Sequence, residues 1–164
     1  GLAADDDGNL YVSDTGSGAV RRINPKGGVM TVAKNLSEPT GLCWKDGALY
    51  IAETGRNRIL QLKDGKITVL AGSGSDGSAG GRAAQASFSA PQGVAVGEDG
   101  SVYVADTGNG AVRMIKSGTV STLAVRDPAQ LSGDMISPVG LLLQGGSLYV
   151  CDPFVRKIFV LAVA

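Results

Sequence analysis

Short apolar runs separated by turn residues recur along the chain and predict β-strands. The first run is Gly1-Leu-Ala-Ala, and Asp5-Asp-Asp-Gly-Asn9 separates it from a second run at residues 10–14. Glycine accepts positive φ without steric cost, so this polar segment is typical of a hairpin turn rather than a calcium loop, for which the distal glutamate is missing. Further runs at residues 20–23 and 29–33 complete a predicted four-stranded antiparallel meander. Alternate positions are mostly apolar on both sides of the second strand, which indicates a sheet covered on both faces.

The same order of strands and turns is repeated four times, in copies at approximately residues 1–36, 37–88, 89–135 and 136–164. All four tyrosines occupy one position of the repeat, and an acid follows each of them by three residues. These acids are Asp14, Glu53, Asp106 and Asp152. They are spaced in or near the range of about 40–50 residues that is typical of four-stranded propeller blades. The fourth copy ends after its third strand.

Sheets with two apolar faces must stack on like sheets, and radial stacking into a β-propeller is the usual solution. A linear stack of sheets is the alternative. The fold class predicted is therefore all-β, with the tyrosines packed between neighbouring blades. The long segments between copies, chiefly 72–90 and 125–137, are interpreted as inter-blade loops and not as domain boundaries. The apolar residues of Ala83-Ala-Gln-Ala-Ser-Phe88 are expected to hold the first of these loops down, with a short helical turn as an option.

Composition narrows the function classes. Fifteen basic and fifteen acidic residues balance, which argues against a general nucleic-acid binder because such proteins normally carry a basic excess. Histidine is absent from the sequence, and with it the commonest metal ligand and general base. No apolar run approaches the roughly 20 residues of a membrane-spanning helix. Cys43 and Cys151 are interpreted as reduced, buried, small apolar residues, with a disulfide as the alternative.

Asp106-Thr-Gly-Asn109, read with Pro91-Gln-Gly-Val-Ala-Val and Val120-Ser-Thr-Leu-Ala, resembles the NHL-repeat family. The resemblance covers nearly the whole chain and implies propeller blades, most often six, of which this chain would supply about four. It also favours a bacterial extracellular or cell-envelope setting, although the residues themselves leave the compartment open. The chain departs from the family pattern at the histidine position, which is held by Gly18, Asn57, Gly110 and Arg156.

The candidate binding residues lie mainly at the loop end of the predicted propeller. Asp14, Glu53, Asp106 and Asp152 end the second strands, where a ring of acids could hold a divalent cation. The favoured interpretation is that each acid accepts hydrogen bonds from its own loop. Arg58 follows Glu53 by five residues and is expected to pair with it locally, as Lys157 is with Asp152. Trp44 ends a first strand, where core packing is favoured over stacking on a ligand.

These features predict a non-catalytic scaffold that presents inter-blade loops to a protein or a small ligand, without a metal or cofactor and without nucleic acid. The alternative is part of a lactonase-like or other propeller hydrolase or lyase whose catalytic residues lie partly outside this segment. No catalytic residue is assigned, because the first strands are too apolar to supply converging carboxylates. RNA binding, a third option, would need a basic face. Four blades would leave an apolar sheet face at each end, so we expect either a longer chain, with the missing blades before Gly1, or self-association through the end blades.

Overall fold

The computed structural model describes residues 1–123 and 135–163, which form four antiparallel sheets, or blades. Blade one contains β1 (Leu2–Ala4), β2 (Leu10–Asp14), β3 (Ala19–Ile23) and β4 (Val29–Ala33). Blade two contains β5 (Pro39–Lys45), β6 (Ala48–Glu53), β7 (Arg58–Lys63) and β8 (Lys66–Ala71). A short strand, β9 (Gly81–Arg82), precedes blade three, which contains β10 (Pro91–Val96), β11 (Val102–Asp106), β12 (Ala111–Lys116) and β13 (Thr119–Thr122). Blade four contains β14 (Gly140–Gln144), β15 (Ser147–Asp152) and β16 (Lys157–Ala162).

The fold predicted from the repeat is confirmed. The predicted strands pair within each copy and in chain order, and the fourth copy has three strands. Helical structure in the described part of the chain is limited to three 3-10 turns, at Thr15–Ser17, Thr54–Arg56 and Thr107–Asn109. None of the described helices is long and apolar enough to cross a membrane. Residues 125–134, most of the second predicted long loop, lie outside the described residues.

The first strands of successive blades lie side by side, as a radial arrangement requires. Strand β5 contacts β1 on one side and β10 on the other, and β10 also contacts β14. The first strands of blades two, three and four begin near a Pro-x-Gly sequence, and in blades two and three the glycine lies against the next blade. A Cβ atom on Gly41 would lie 2.2 Å from the carbonyl oxygen of Gln92, and one on Gly93 would lie 2.2 Å from that of Val139. The glycines therefore allow the blades to approach closely around the channel.

The tyrosine position faces the following blade. Tyr11 packs in the core between blades one and two, Tyr50 between blades two and three, and Tyr103 between blades three and four. Tyr149 is 37% exposed because it lies on the open face of blade four. That face also exposes Leu142, Ile158 and Val160, and blade one exposes Leu2, Leu10 and Val29. The predicted apolar faces at both ends are thus present.

The segment at 72–90 is held against blade three as expected from its apolar residues. Phe88 and Ala86 are fully buried in the core between blades two and three. A hydrogen-bonded turn follows Arg82, whose carbonyl oxygen accepts from the N–H groups of Gln85 and Ala86. Strand β9 was not predicted: it pairs with β13 and makes blade three five-stranded. Two residues are too few to show a strand period, so only the partner strand defines this element.

The prediction that both cysteines are buried was wrong. Both are free, Cys43 is half-buried, and Cys151 is exposed. Cys151 follows the buried Val150 in β15, and successive side chains of a strand point to opposite faces. Its side chain therefore lies on the open face of blade four.

Candidate functional site

The four repeated acids end their second strands at one end of the propeller, which we call the acid end. The opposite end carries the tight turns after the first and third strands and is called the turn end. Glu53, Asp106 and Asp152 are completely buried, while Asp14 is partly exposed. The acids do not converge on a common point: the described residues contain no group of three or more acids or cysteines that could hold a metal ion.

Each buried acid binds the segment that leads into its own blade. The backbone N–H of Ser37 donates to Glu53 Oε1 at 2.9 Å, and that of Ser89 donates to Asp106 Oδ1 at 2.7 Å. In blade four the N–H of Ser137 donates to Asp152 Oδ2 at 2.8 Å. The acid thereby fixes where the chain enters the first strand relative to where it leaves the second.

Each buried acid accepts hydrogen bonds from nearby groups, as predicted, but the segment that supplies the backbone N–H donors differs between blades. Asp152 accepts from two N–H groups of its own following loop, those of Phe154 and Val155. At Glu53 and Asp106, by contrast, the backbone donor comes from the segment before the first strand. The acid's own loop also donates at these two residues, as expected, but through the side chains of Arg56 and Asn109. The reason for the position of the backbone donor is topological: the start of a first strand lies beside the end of its antiparallel partner.

Arginine side chains form ion pairs with three of the acids, which are Glu53, Asp14 and Asp106. Arg58 Nε lies 2.5 Å from Glu53 Oε2, which confirms the predicted pair, and Arg56 Nη1 lies 2.9 Å from Oε1. Arg21 Nη2 lies 2.9 Å from Asp14 Oδ2 in a more exposed pair. These ion pairs link each acid to the loop or strand that follows it.

Arg113 is the functional-site residue that the sequence analysis missed. It is 1% exposed, and its Nη1 lies 3.0 Å from Asp106 Oδ2. Its guanidinium also donates to the carbonyl oxygens of Ala79 and Ser87 and lies 5.6 Å from the ring centroid of Phe88. A signal was available: an arginine follows the acid by seven residues in both the first and third copies.

Hydrogen bonding lowers the pKa of two of the acids. The Arg21 guanidinium beside Asp14 lowers the pKa of that carboxyl, with the Ser17 side chain contributing. At Asp152 burial acts in the opposite direction and raises the pKa, but backbone N–H donors from Ser137, Ile136, Val155 and Phe154 outweigh it. The net pKa of Asp152 is lowered, because these donors favour the charged form.

Trp44 lies between blades one and two at the turn end, away from the acids. Its ring stacks on Tyr11 with a centroid separation of 5.2 Å and an interplanar angle of 11°. The residue is half-buried and packs against the core shared by these two blades. The favoured interpretation as a packing residue agrees with this contact.

The central channel is lined mainly by backbone and aliphatic groups. A cavity of about 340 Å³ lies between the first strands, and its wall includes Gly41, Gly93, Leu42 and Val94. Thr40 contributes a hydroxyl, which is already bonded to the carbonyl oxygen of Gln92 at 3.0 Å. Converging carboxylates are not found in the described wall of this cavity.

Comparison with known proteins identifies the family. The model of the Teneurin NHL domain matches residues 1–133. The chain belongs to the Teneurin NHL domain family. This NHL propeller is 46% identical over 68 residues to NHL repeat-containing protein 2 of Gallus gallus, covering 41% of this chain and 9% of that protein. It is 36% identical over 83 residues to the chloroplastic protein Suppressor of Quenching 1 of Arabidopsis thaliana, covering 49% of this chain and 8% of that protein.

Solved structures support the propeller fold of the NHL chain. A protein of unknown function from Bacteroides thetaiotaomicron superposes with a TM-score of 0.82 at 22% identity, covering 98% of this chain and 46% of that chain. A catalytically inactive virginiamycin B lyase from Staphylococcus aureus with quinupristin superposes with a TM-score of 0.73 at 16% identity, covering 99% of this chain and 51% of that chain. A gluconolactonase from Xanthomonas campestris superposes with a TM-score of 0.77 at 21% identity, covering 100% of this chain and 58% of that chain. The NHL chain thus spans about half the length of these structures and less than a tenth of each of the two curated relatives named above.

Proposed function

We propose that this NHL propeller is a non-catalytic scaffold that presents its inter-blade loops to a protein or a small ligand. The observation that carries the proposal is the internal engagement of the repeated acids. Glu53, Asp106 and Asp152 are buried and accept hydrogen bonds from backbone groups of their own blades. Their chemistry is thereby used to shape the acid end and not to contact a substrate.

A pre-ordered surface suits recognition. The 3-10 turns at Thr15–Ser17, Thr54–Arg56 and Thr107–Asn109 follow three of the acids directly. The side chain of Asn109 links Asp106 to the carbonyl oxygen of Gly77, at 2.7 and 2.8 Å. Loops fixed in this way lose little conformational entropy when a partner binds, which favours affinity. Propellers as a class serve as platforms whose function lies in the loops.

Photocrosslinking tests which end of the propeller is used. A benzophenone amino acid is placed at exposed acid-end positions, Ser17 or Ser75, and at exposed turn-end positions, Lys26 or Asp46. We expect crosslinks to a specific partner in a native extract only from the acid-end positions. Equal crosslinking from both ends, or crosslinking from the turn end alone, contradicts the proposal.

The second candidate is a propeller hydrolase or lyase with catalytic residues partly outside this segment. It is favoured by the fold match to the virginiamycin B lyase and the gluconolactonase, each of which extends well beyond the matched part. Gluconolactone hydrolysis by the full-length protein, measured with and without added Mg²⁺, Ca²⁺ or Zn²⁺, separates the two candidates. We expect no rate above the uncatalysed reaction. A metal-dependent rate that is lost in a folded Asp106→Asn variant supports the enzyme.

A further inference from the structure

A cavity of about 330 Å³ opens between blades one and two at the turn end of the propeller. The turns at Gly47 and Gly65 form part of its wall, together with Tyr11, Arg22 and Trp44. Sites for small molecules occupy about 300–1,000 Å³, so this cavity has the size of a small one. It lies at the opposite end from the acids, so a ligand bound here is independent of the function proposed for the acid end.

Two N–H groups at this cavity lack partners. Arg22 Nε and Trp44 Nε1 are buried, and neither has a hydrogen-bond acceptor among the described residues; Arg113 Nε, away from this cavity, is the third such donor. The Nη2 group of Arg22 lies 2.9 Å from Met30 Sδ, a weak acceptor. Nearly all buried donors are satisfied by protein, water or a ligand. Both side chains line the cavity, but the two nitrogens themselves are not accessible from it, so an acceptor held inside engages them through a small adjustment of the side chains.

The same positions in the other blades are filled without leaving a donor unpaired. Arg22 lies opposite Tyr11 in its sheet, and the equivalent residues opposite Tyr50 and Tyr103 are Gln61 and Met114. Gln61 Nε2 donates to the Tyr50 hydroxyl at 3.0 Å, and Met114 has no polar hydrogen to place. Packing between blades therefore does not require an arginine at this position.

Trp44 departs from the repeat in the same way. It lies opposite Leu49, and its equivalents opposite Val102 and Leu148 are Val96 and Leu143. Aliphatic side chains thus fill this position in blades three and four. The combination of an indole and a guanidinium, both with an unpaired N–H, is found at one interface of the three described.

We propose that this inter-blade cavity binds a small organic carboxylate. Arginine matches a carboxylate in charge and in the geometry of its donors, and the indole N–H supplies a further donor. Val32 and Leu62 in the wall contact the apolar body of the ligand. Asp64 also lines the cavity, and its negative charge opposes the binding of any anion, more strongly for a ligand with two negative groups than for a monocarboxylate.

Trp44 is the only tryptophan in the sequence, so its fluorescence reports on this cavity alone. The probe is benzoate, and the uncharged control of similar shape is benzyl alcohol. We expect benzoate to change the Trp44 emission in a saturable way, with an affinity at least about tenfold higher than that of benzyl alcohol, because hydrogen bonds to charged groups are the stronger ones. Equal affinities, or no saturable change with benzoate, overturn the proposal and leave water as the partner of the two donors.

Variants taken from the chain's own repeats test the role of the guanidinium. Arg22→Gln introduces the residue of blade two, and Arg22→Met introduces that of blade three, so at least one of them is expected to keep the fold. Benzoate affinity should fall at least about tenfold in either folded variant, while the response to benzyl alcohol is unchanged. Lys26→Gln removes a positive charge from the same blade away from the cavity and should bind benzoate like the wild type. Wild-type affinity in a folded Arg22 variant refutes the assignment.

Discussion

The close approach of neighbouring blades at the channel predicts that Gly93→Ala destabilises the propeller strongly. The new Cβ would lie 2.2 Å from the carbonyl oxygen of Val139 and 3.2 Å from the Cβ of Ala105. The first obstacle is backbone in the segment that leads into β14, and it cannot rotate away as a side chain would. Blades three and four must therefore separate at this contact.

The expected loss in the free energy of unfolding of Gly93→Ala follows from two opposing effects. Forcing an extra carbon into a packed interior typically costs about 1–3 kcal/mol, and a rigid backbone obstacle places this case at the upper end. The lower chain entropy of unfolded alanine offsets about 0.5 kcal/mol. We expect the free energy of unfolding to fall by about 2–3 kcal/mol, and the midpoint of thermal unfolding to fall by about 5–10 °C for a chain of this length.

Alanine substitutions at two other glycines separate the destabilisation caused by steric contact from that caused by backbone conformation. Gly16 has no neighbour within 4 Å and no positive φ, so Gly16→Ala should change stability by less than about 0.5 kcal/mol. Gly47 has open space but a φ of +75°, so Gly47→Ala should cost about 1 kcal/mol through strain alone. Urea unfolding followed by circular dichroism gives all three values. The reasoning is refuted if Gly93→Ala is no more destabilising than Gly47→Ala.

Two further predictions concern the buried charges at the acid end. Arg113→Met leaves the Asp106 carboxylate buried without its cation, and urea unfolding should show a loss of about 3–5 kcal/mol. Asp152 has a pKa below that of the unfolded chain, so it contributes stability above the unfolded pKa that is lost as pH falls through the folded one. Unfolding measured from pH 7 downward should therefore show Asp152→Asn to be less stable at neutral pH, with the difference shrinking below about pH 4.

Each of these predictions has a direct control. Lys26→Met removes an exposed cation and should be neutral, so a comparable loss in both variants would show that the burial of Arg113 is unimportant. For Asp152, a stability difference that stays constant between pH 7 and pH 3 would mean that the charge of the carboxylate does not contribute.

Burial determines how much an ion pair contributes to stability, as an exposed pair shows. Lys116 Nζ lies 2.7 Å from Asp99 Oδ2, and this contact lowers the pKa of Asp99 and raises that of Lys116. Both side chains are about half exposed, so solvent screens the pair and its contribution to stability is small. The buried Arg113–Asp106 pair has the same ionic chemistry, but its removal is costly because one charge is left without solvent or partner.

Much of the site could be predicted from local patterns, and the parts that could not were long-range. The pairing of Arg58 with Glu53 was predictable because antiparallel neighbours a few residues apart must face each other. The donors of Ser37 and Ser89 were not, since every residue except proline carries a backbone N–H and none has a sequence signature. Arg113 was missed because it lies in a strand whose pattern suggests simple packing, and its contacts with Ala79 and Ser87 cross a long loop.

The sequence by itself determined the number of blades in this chain, their strand order and the packing of Tyr11, Tyr50 and Tyr103 between blades. These properties depend on turn chemistry and on a period of two residues, which act within a single repeat. Tertiary structure alone decided that the segment at 72–90 adds β9 to blade three, that the acids bind the segments leading into their own blades, and that Arg22 and Trp44 meet at one cavity. Those features require atoms from distant parts of the chain to be brought together, and no local pattern encodes that distance.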